Sequence, residues 1–243
     1  MIADVHGNAP ALEAVIRELR EREPDVVVSC GDLSWGSLPG ETLALARDLA
    51  REVECVFVRG NAERALLELA AGEAEESATE RDRWMQAHHT ANDLEFVRSF
   101  VPGTVIDAGG LGAVRFCHGS PISDEDCLTP ITPDERLRPL LGDTEEKVLV
   151  SAHIHVQFDR HVAGIRSINA GSVGLPYEGR HGAFWAILDD GVTLLRTDYD
   201  VSEAVRRYRA TDDPLAETMV EMLEHPATRD EAIEHAERVQ RSG

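Results

Sequence analysis

Residues 26–32 read Val-Val-Val-Ser-Cys-Gly-Asp. A short β-branched, apolar run closed by glycine describes a strand buried on both faces, as in a parallel sheet. Upstream, Ala11, Leu12, Val15, Ile16 and Leu19 recur at helical spacing, Pro10 suits the first turn, and Pro24-Asp25 ends the pattern. Downstream, a second helical pattern covers 41–51 and a second buried strand covers 53–58. This β-α-β-α-β alternation predicts an α/β chain, a largely parallel sheet with helices on its faces. Only Met1-Ile2-Ala3 precede Asp4 as a first strand, where a central strand usually takes about 5–6 residues. The expectation is a very short strand, or a true start upstream of Met1.

The rest of the chain is read in the same way. Residues 62–100 are helical in pattern, with an acidic break over 72–80 that reads as a solvated segment, and Thr90 with Asp93 resembles a capping box. Strand-like runs follow at 103–107, 113–117, 147–151, 155–162, 165–168, 183–188 and 192–197. Their close spacing and the turn at Asp190-Gly191 predict mixed or antiparallel pairing. Residues 201–238 are helical and charged, interrupted by Pro214 and Pro226. One domain over 1–198 and a helical C-terminal appendage over 199–243 are expected.

Composition narrows the partners. Asp and Glu total 45 against 24 Lys and Arg, a formal net charge of −21. Such a surface repels long nucleic acids and anionic membranes. No apolar run approaches the ~20 residues of a membrane helix. Cys30, Cys55, Cys117 and Cys127 show no C-x-x-C spacing, and no signal peptide precedes them. Reduced thiols and a cytoplasmic location are expected.

The chemistry lies where strands give way to loops. Asp4-Val5-His6-Gly7-Asn8 follows the first strand, Gly31-Asp32 the second and Gly60-Asn61-Ala62-Glu63 the third. Later runs end at His118-Gly119 and His153-Ile154-His155. In open α/β sheets that edge binds ligands. The set offers two carboxylates, one amide oxygen and four imidazoles, with no thiolate. Those donors suit Mn, Fe, Zn or Ni better than Cu(I), Ca or Mg alone. They are too many for one small ion and fit two ions sharing a bridging carboxylate.

The ordered motifs D-x-H-G-N, G-D, G-N-x-E, H-G and H-x-H resemble those of the calcineurin-like metallophosphoesterases, nearest the compact bacterial and archaeal phosphodiesterase-like branch. The resemblance covers residues 1–198. Asn169-Ala170-Gly171-Ser172-Val173-Gly174 also resembles that branch's N-P-G-S-V/I-G segment, with Ala170 in place of proline. The resemblance implies a four-layer αββα sandwich, two mixed β-sheets flanked by helices. It implies that Asp4, His6 and His155 hold one metal, that Asn61, His118 and His153 hold the other, and that Asp32 bridges them. The metals would be two divalent transition ions, Mn or Fe foremost, with Zn or Ni as alternatives. A bridging hydroxide would attack phosphorus, with Asp32, Asn61 and His118 as the catalytic set. Asn8, Asn61, Arg180 and His181 are the expected substrate contacts.

Two departures bear on activity. Ala62 stands where many members carry a histidine that protonates the leaving group; losing one general acid costs about 10²–10⁴-fold in rate. Glu63 replaces the more usual aspartate and is expected to support its loop. The expected reaction is hydrolysis of small-molecule phosphodiesters, with a small phosphate ester as partner, and a homo-oligomer is left open. A protein Ser/Thr phosphatase or other phosphomonoesterase is the alternative within the class, and a non-catalytic binding protein on the same fold is the alternative outside it.

Overall fold

The computed structural model describes residues 1–73 and 76–242. Of the acidic break, Ala74 and Glu75 lie outside the described residues. Helix α1 (Ala9–Arg22) leads into β1 (Val26–Cys30), α2 (Pro39–Glu52) and β2 (Glu54–Val58). Strands β1 and β2 pair in parallel, Val26 opposite Glu54 through Cys30 opposite Val58. Residues 1–3 lie alongside β1 through an isolated parallel bridge, Ile2 opposite Ser29. Ile2 N donates to Val28 O and Cys30 N to Ile2 O, both at 2.9 Å. On the other side the Met1 amine donates to Ala186 O at 2.8 Å, and Ala186 N returns a bond to Met1 O at 3.1 Å. Ala186 belongs to β8 (Ala183–Leu188), which pairs antiparallel with β9 (Val192–Thr197). The stub thus joins both strand pairs into one sheet.

The second sheet is mixed. Its strands are β3 (Gly103–Asp107), β4 (Ala113–Cys117), β5 (Val148–Ser151), β6 (Phe158–Val162) and β7 (Ile165–Asn169), in the order β3-β4-β5-β7-β6. The central β4-β5 and β5-β7 pairs are parallel; the outer two are antiparallel. Between the sheets lies a core of Ala3, Val28, Val58, Phe116, Val150 and Ile168. Outside the first sheet, α1 and α2 bury Leu12, Val15, Leu43 and Leu49 against Val27 and Trp185. Outside the second, α6 (Asp134–Leu140) places Leu137 against Leu149 and Val162. These are the four expected αββα layers. The short α6, interrupted by Pro139, was not foreseen.

Helical segment 62–100 resolves into α3 (Asn61–Ala70), α4 (Glu80–Ala87) and α5 (Ala91–Arg98). The capping box forms: Thr90 N donates to Asp93 Oδ2 at 2.9 Å and Asp93 N to Thr90 Oγ1 at 3.2 Å. The C-terminal helices pack onto the sandwich. Helices α7 (Val201–Arg209) and α8 (Ala216–Glu224) share a cluster with Ala9, Leu38 and Leu175. Helix α9 (Arg229–Ser242) sets Ala236 against Cys127, Ile154 and Phe158.

Candidate metal centre

The expected ligands converge at the C-terminal edge of the parallel strands. Asp4, His6 and His155 form one group and Asp32, His118 and His153 a second, the ligand atoms of each lying within 4.8 Å of one another. Asn61 joins the second group, its Oδ1 2.9 Å from His118 Nε2. The backbone is bent to do this. Among the described residues, seven non-glycine residues have left-handed φ, and five are Asp4 (50°), His6 (46°), Asp32 (52°), His153 (69°) and His155 (57°). Each such residue costs about 1–3 kcal/mol and persists only where its surroundings over-determine it. The strand expected from residue 155 therefore begins only at Phe158. A straight strand would set His153 and His155 ~7 Å apart on one face; the loop folds them toward different groups.

Backbone carbonyls fix the imidazoles. His6 Nδ1 faces Trp35 O at 3.2 Å, His155 Nδ1 faces Leu175 O at 2.6 Å and His118 Nδ1 faces Cys30 O at 2.8 Å. A ring nitrogen against a carbonyl carries the proton, so each neutral ring turns its Nε2 lone pair inward. Yet His6 Nε2 and His155 Nε2 stand 3.1 Å apart, lone pair to lone pair. His118 Nε2 likewise faces Asn61 Oδ1 and, at 3.2 Å, His153 Nδ1. The Asp4 side chain is fully buried and its Oδ1 has no hydrogen-bond partner, though His155 Nε2 lies 3.6 Å away. Imidazole nitrogens and carboxylate oxygens converging in this way form a candidate cation site, and oxygen-imidazole donors fit a divalent transition metal. Asp32 faces both groups, Oδ2 at 3.6 Å from His6 Nε2 and Oδ1 at 3.5 Å from His118 Nε2.

Burial and charge set the protonation. Burial raises the Asp4 carboxyl well above its ordinary range. Burial pushes Asp32 the same way, but His118, His6 and the Ala62 N–H outweigh it and hold the carboxyl low. Burial lowers His6 and His155, and His153 to about 4. Burial also opposes charge on His118, but the Asp32 and Asp4 carboxylates overcome it and raise that ring.

A second layer ties the loops. Glu63 accepts from Asp32 N, Leu33 N and Gly60 N at 2.7–2.9 Å, the loop support expected of it. Gly60 has no room for a side chain, since a Cβ there would sit 2.2 Å from Asp32 Oδ1. In the 169–174 segment, Asn169 Nδ2 donates to Ala152 O at 2.7 Å and Ser172 Oγ to Asp4 O at 2.6 Å.

Three expected substrate contacts are engaged elsewhere. Asn8 is fully buried as the N-cap of α1; Oδ1 accepts from Ala11 N, and Nδ2 donates to Gly174 O and the Tyr199 hydroxyl. Its amide is spent on structure. The Arg180 guanidinium lies 5.2 Å over the Phe184 ring, and His181 Nε2 meets Glu224 O at 3.2 Å. Sequence reading also missed Tyr177, whose ring stacks on His155 at 4.6 Å. No spacing or motif announces it.

Comparisons with known proteins give the family and the fold. The model of the calcineurin-like phosphoesterase superfamily domain matches residues 1–190. The chain belongs to that superfamily. It resembles a crystal structure of a metallophosphoesterase from Sphaerobacter thermophilus, with TM-score 0.72 and 24% identity, over 92% of this chain and 97% of that one. A hypothetical protein from Pyrococcus horikoshii OT3 superposes with TM-score 0.79 at 21% identity, over 93% of this chain and 97% of that one. An uncharacterized protein of Methanocaldococcus jannaschii is 25% identical over 234 residues, 85% of this chain and 90% of that protein.

Proposed function

We propose that the chain is a two-metal phosphoesterase that hydrolyses phosphodiesters of small molecules. The observation that carries this reading is the pair of facing acceptor clusters, with Asp32 turned to both. Asp4, His6 and His155 would hold one divalent ion, Asn61, His118 and His153 the other, and Asp32 would serve each with one oxygen. Two such ions supply Lewis acidity toward phosphoryl oxygens and make a nucleophile available at neutral pH.

The chain's own groups do the rest. Two carboxylates only partly offset two divalent charges, leaving a local positive island that draws a phosphate ester into a protein of net charge −21. The three carbonyl-anchored imidazoles keep their lone pairs aimed at the centre without motion. Asn61 turns its carbonyl toward His118 and keeps its Nδ2 for a phosphoryl oxygen. Ala62 is buried and brings no proton to the leaving group. Esters whose leaving group departs without a proton, such as nitrophenyl diesters, are the favoured substrates. The acidic surface and the four unpaired cysteines favour a small substrate and a reducing, cytoplasmic setting.

The test compares Mn²⁺-dependent hydrolysis of bis(4-nitrophenyl) phosphate with that of 4-nitrophenyl phosphate. Preference for the diester supports the reading. Preference for the monoester moves the assignment to a phosphatase, and no turnover by metal-loaded protein refutes an esterase.

A further inference from the structure

A cavity of about 430 Å³ opens beside the metal centre, walled by the His153–Ile154–His155 loop on one side and by α8 and α9 on the other. We propose that it receives an aromatic arm of the phosphoester substrate, with α9 as the element that sets specificity. The inference rests on the phosphoesterase reading and names the substrate class for that site.

Position comes first. His153 and His155 are candidate ligands, one from each group, and both line the cavity. A phosphoryl group at the centre therefore projects a substituent into this space. Chemistry comes second. The wall facing the ligand loop is Met222, Ala232, Ala236 and Val239, with Tyr177 and His235 as rings and Glu231 as the acid. Met and aromatic side chains favour flat π-systems through sulfur and edge contacts. Glu231 disfavours a second anionic group, so the arm is neutral. Rigidity comes third. Helix α9 is pinned on both sides of this stretch. Arg229 forks onto Glu178 at 2.7 and 2.8 Å and donates to Gln157 O at 2.9 Å. Further along, Thr129 Oγ1 donates to Glu237 at 2.6 Å, Gln240 Nε2 donates to Asp126 at 3.0 Å, and Cys127 N donates to Gln240 at 2.6 Å. Between those anchors the helix presents alanines at 232 and 236, which hold it over the loop without filling the space.

The test uses full-length, Mn²⁺-loaded protein and two non-hydrolysable probes, methylphosphonate and phenylphosphonate, titrated calorimetrically. Phenylphosphonate is expected to bind about tenfold tighter, the effect of moving an apolar ring out of water. Ala232→Phe fills the cavity from α9 and is expected to bring that ratio to about one. Val239→Trp, from the exposed end of the same face, provides a second filling variant should the first fold poorly. Methylphosphonate binding with no phenyl advantage in the wild type overturns this inference alone. A phenyl advantage that survives in a folded filling variant overturns it too, as does tighter binding of octylphosphonate than phenylphosphonate. Failure of both phosphonates to bind overturns the phosphoesterase reading beneath it.

Discussion

Replacing Glu63 by alanine removes a carboxylate shared by three backbone donors. Oε2 accepts from Asp32 N at 2.8 Å and Gly60 N at 2.9 Å, Oε1 accepts from Leu33 N at 2.7 Å, and the residue is 1% exposed. A buried donor left unpaired costs about 1–3 kcal/mol. Water entering the vacated space recovers part of that, so the three together cost about 3–5 kcal/mol. That is a large share of the roughly 5–15 kcal/mol that holds a domain folded. At about 2–4 °C per kcal/mol for a chain of this size, the unfolding midpoint falls by roughly 6–20 °C. Glu63→Gln keeps the shape. With its carbonyl in the Oε2 place it retains the bonds from Asp32 and Gly60 and turns an NH2 onto the Leu33 N–H, a cost of about 1–3 kcal/mol. The same carboxylate joins the loops carrying Asp32 and Asn61, so Mn²⁺ retention falls in the same order. The assay is thermal unfolding by circular dichroism in EDTA, followed by Mn²⁺ content after dialysis. Wild type above Glu63→Gln above Glu63→Ala is expected in both. A Glu63→Ala protein that unfolds at the wild-type temperature would refute the reasoning.

Three further outcomes follow from the structure. Asn8→Ala removes the α1 cap and two tertiary bonds, so it costs about 1–2 kcal/mol or more in urea unfolding while KM for the diester stays at the wild-type value; a raised KM at unchanged stability contradicts the N-cap role. Gly60→Ala drives a methyl into Asp32 Oδ1, so Mn²⁺ affinity falls by about tenfold or more, read by calorimetry, and wild-type affinity contradicts the packing. A protonated ligand cannot bind metal, and His118 is the ring whose pKa is raised above 6.5, by Asp32 and Asp4 overcoming burial. Mn²⁺ affinity therefore rises with pH through the His118 titration, and Mn²⁺ binding near pH 6.5 releases protons; affinity that does not change with pH between about 5 and 8 contradicts that protonation state.

The candidate metal-binding cluster was legible because each member ends a strand or sits in a short polar motif. Strand ends are where an α/β chain must change direction, and the sequence marks them with Gly31, Gly60 and Gly119 beside the chemistry. The layer order was legible through family resemblance, while periodicity alone reached only the parallel first half. The start of β6 was misplaced because left-handed φ at His153 and His155 leaves no trace in hydrophobic pattern. Helix α6 was missed because seven residues containing Pro139 give too little periodicity. Asn8 was read toward substrate because it follows Asp4 and His6, although the Ala9-Pro10 that follows it is a helix-start signal. Tyr177 and α9 reach the site through tertiary packing, which no local pattern encodes.

The central claim, two metal sites sharing Asp32, is tested most directly by Mn²⁺ bound per chain after equilibrium dialysis, wild type beside Asp32→Asn. The geometry predicts two ions in the wild type and less than one in the variant. A wild type that binds none, or an Asp32→Asn protein that keeps two, would contradict it.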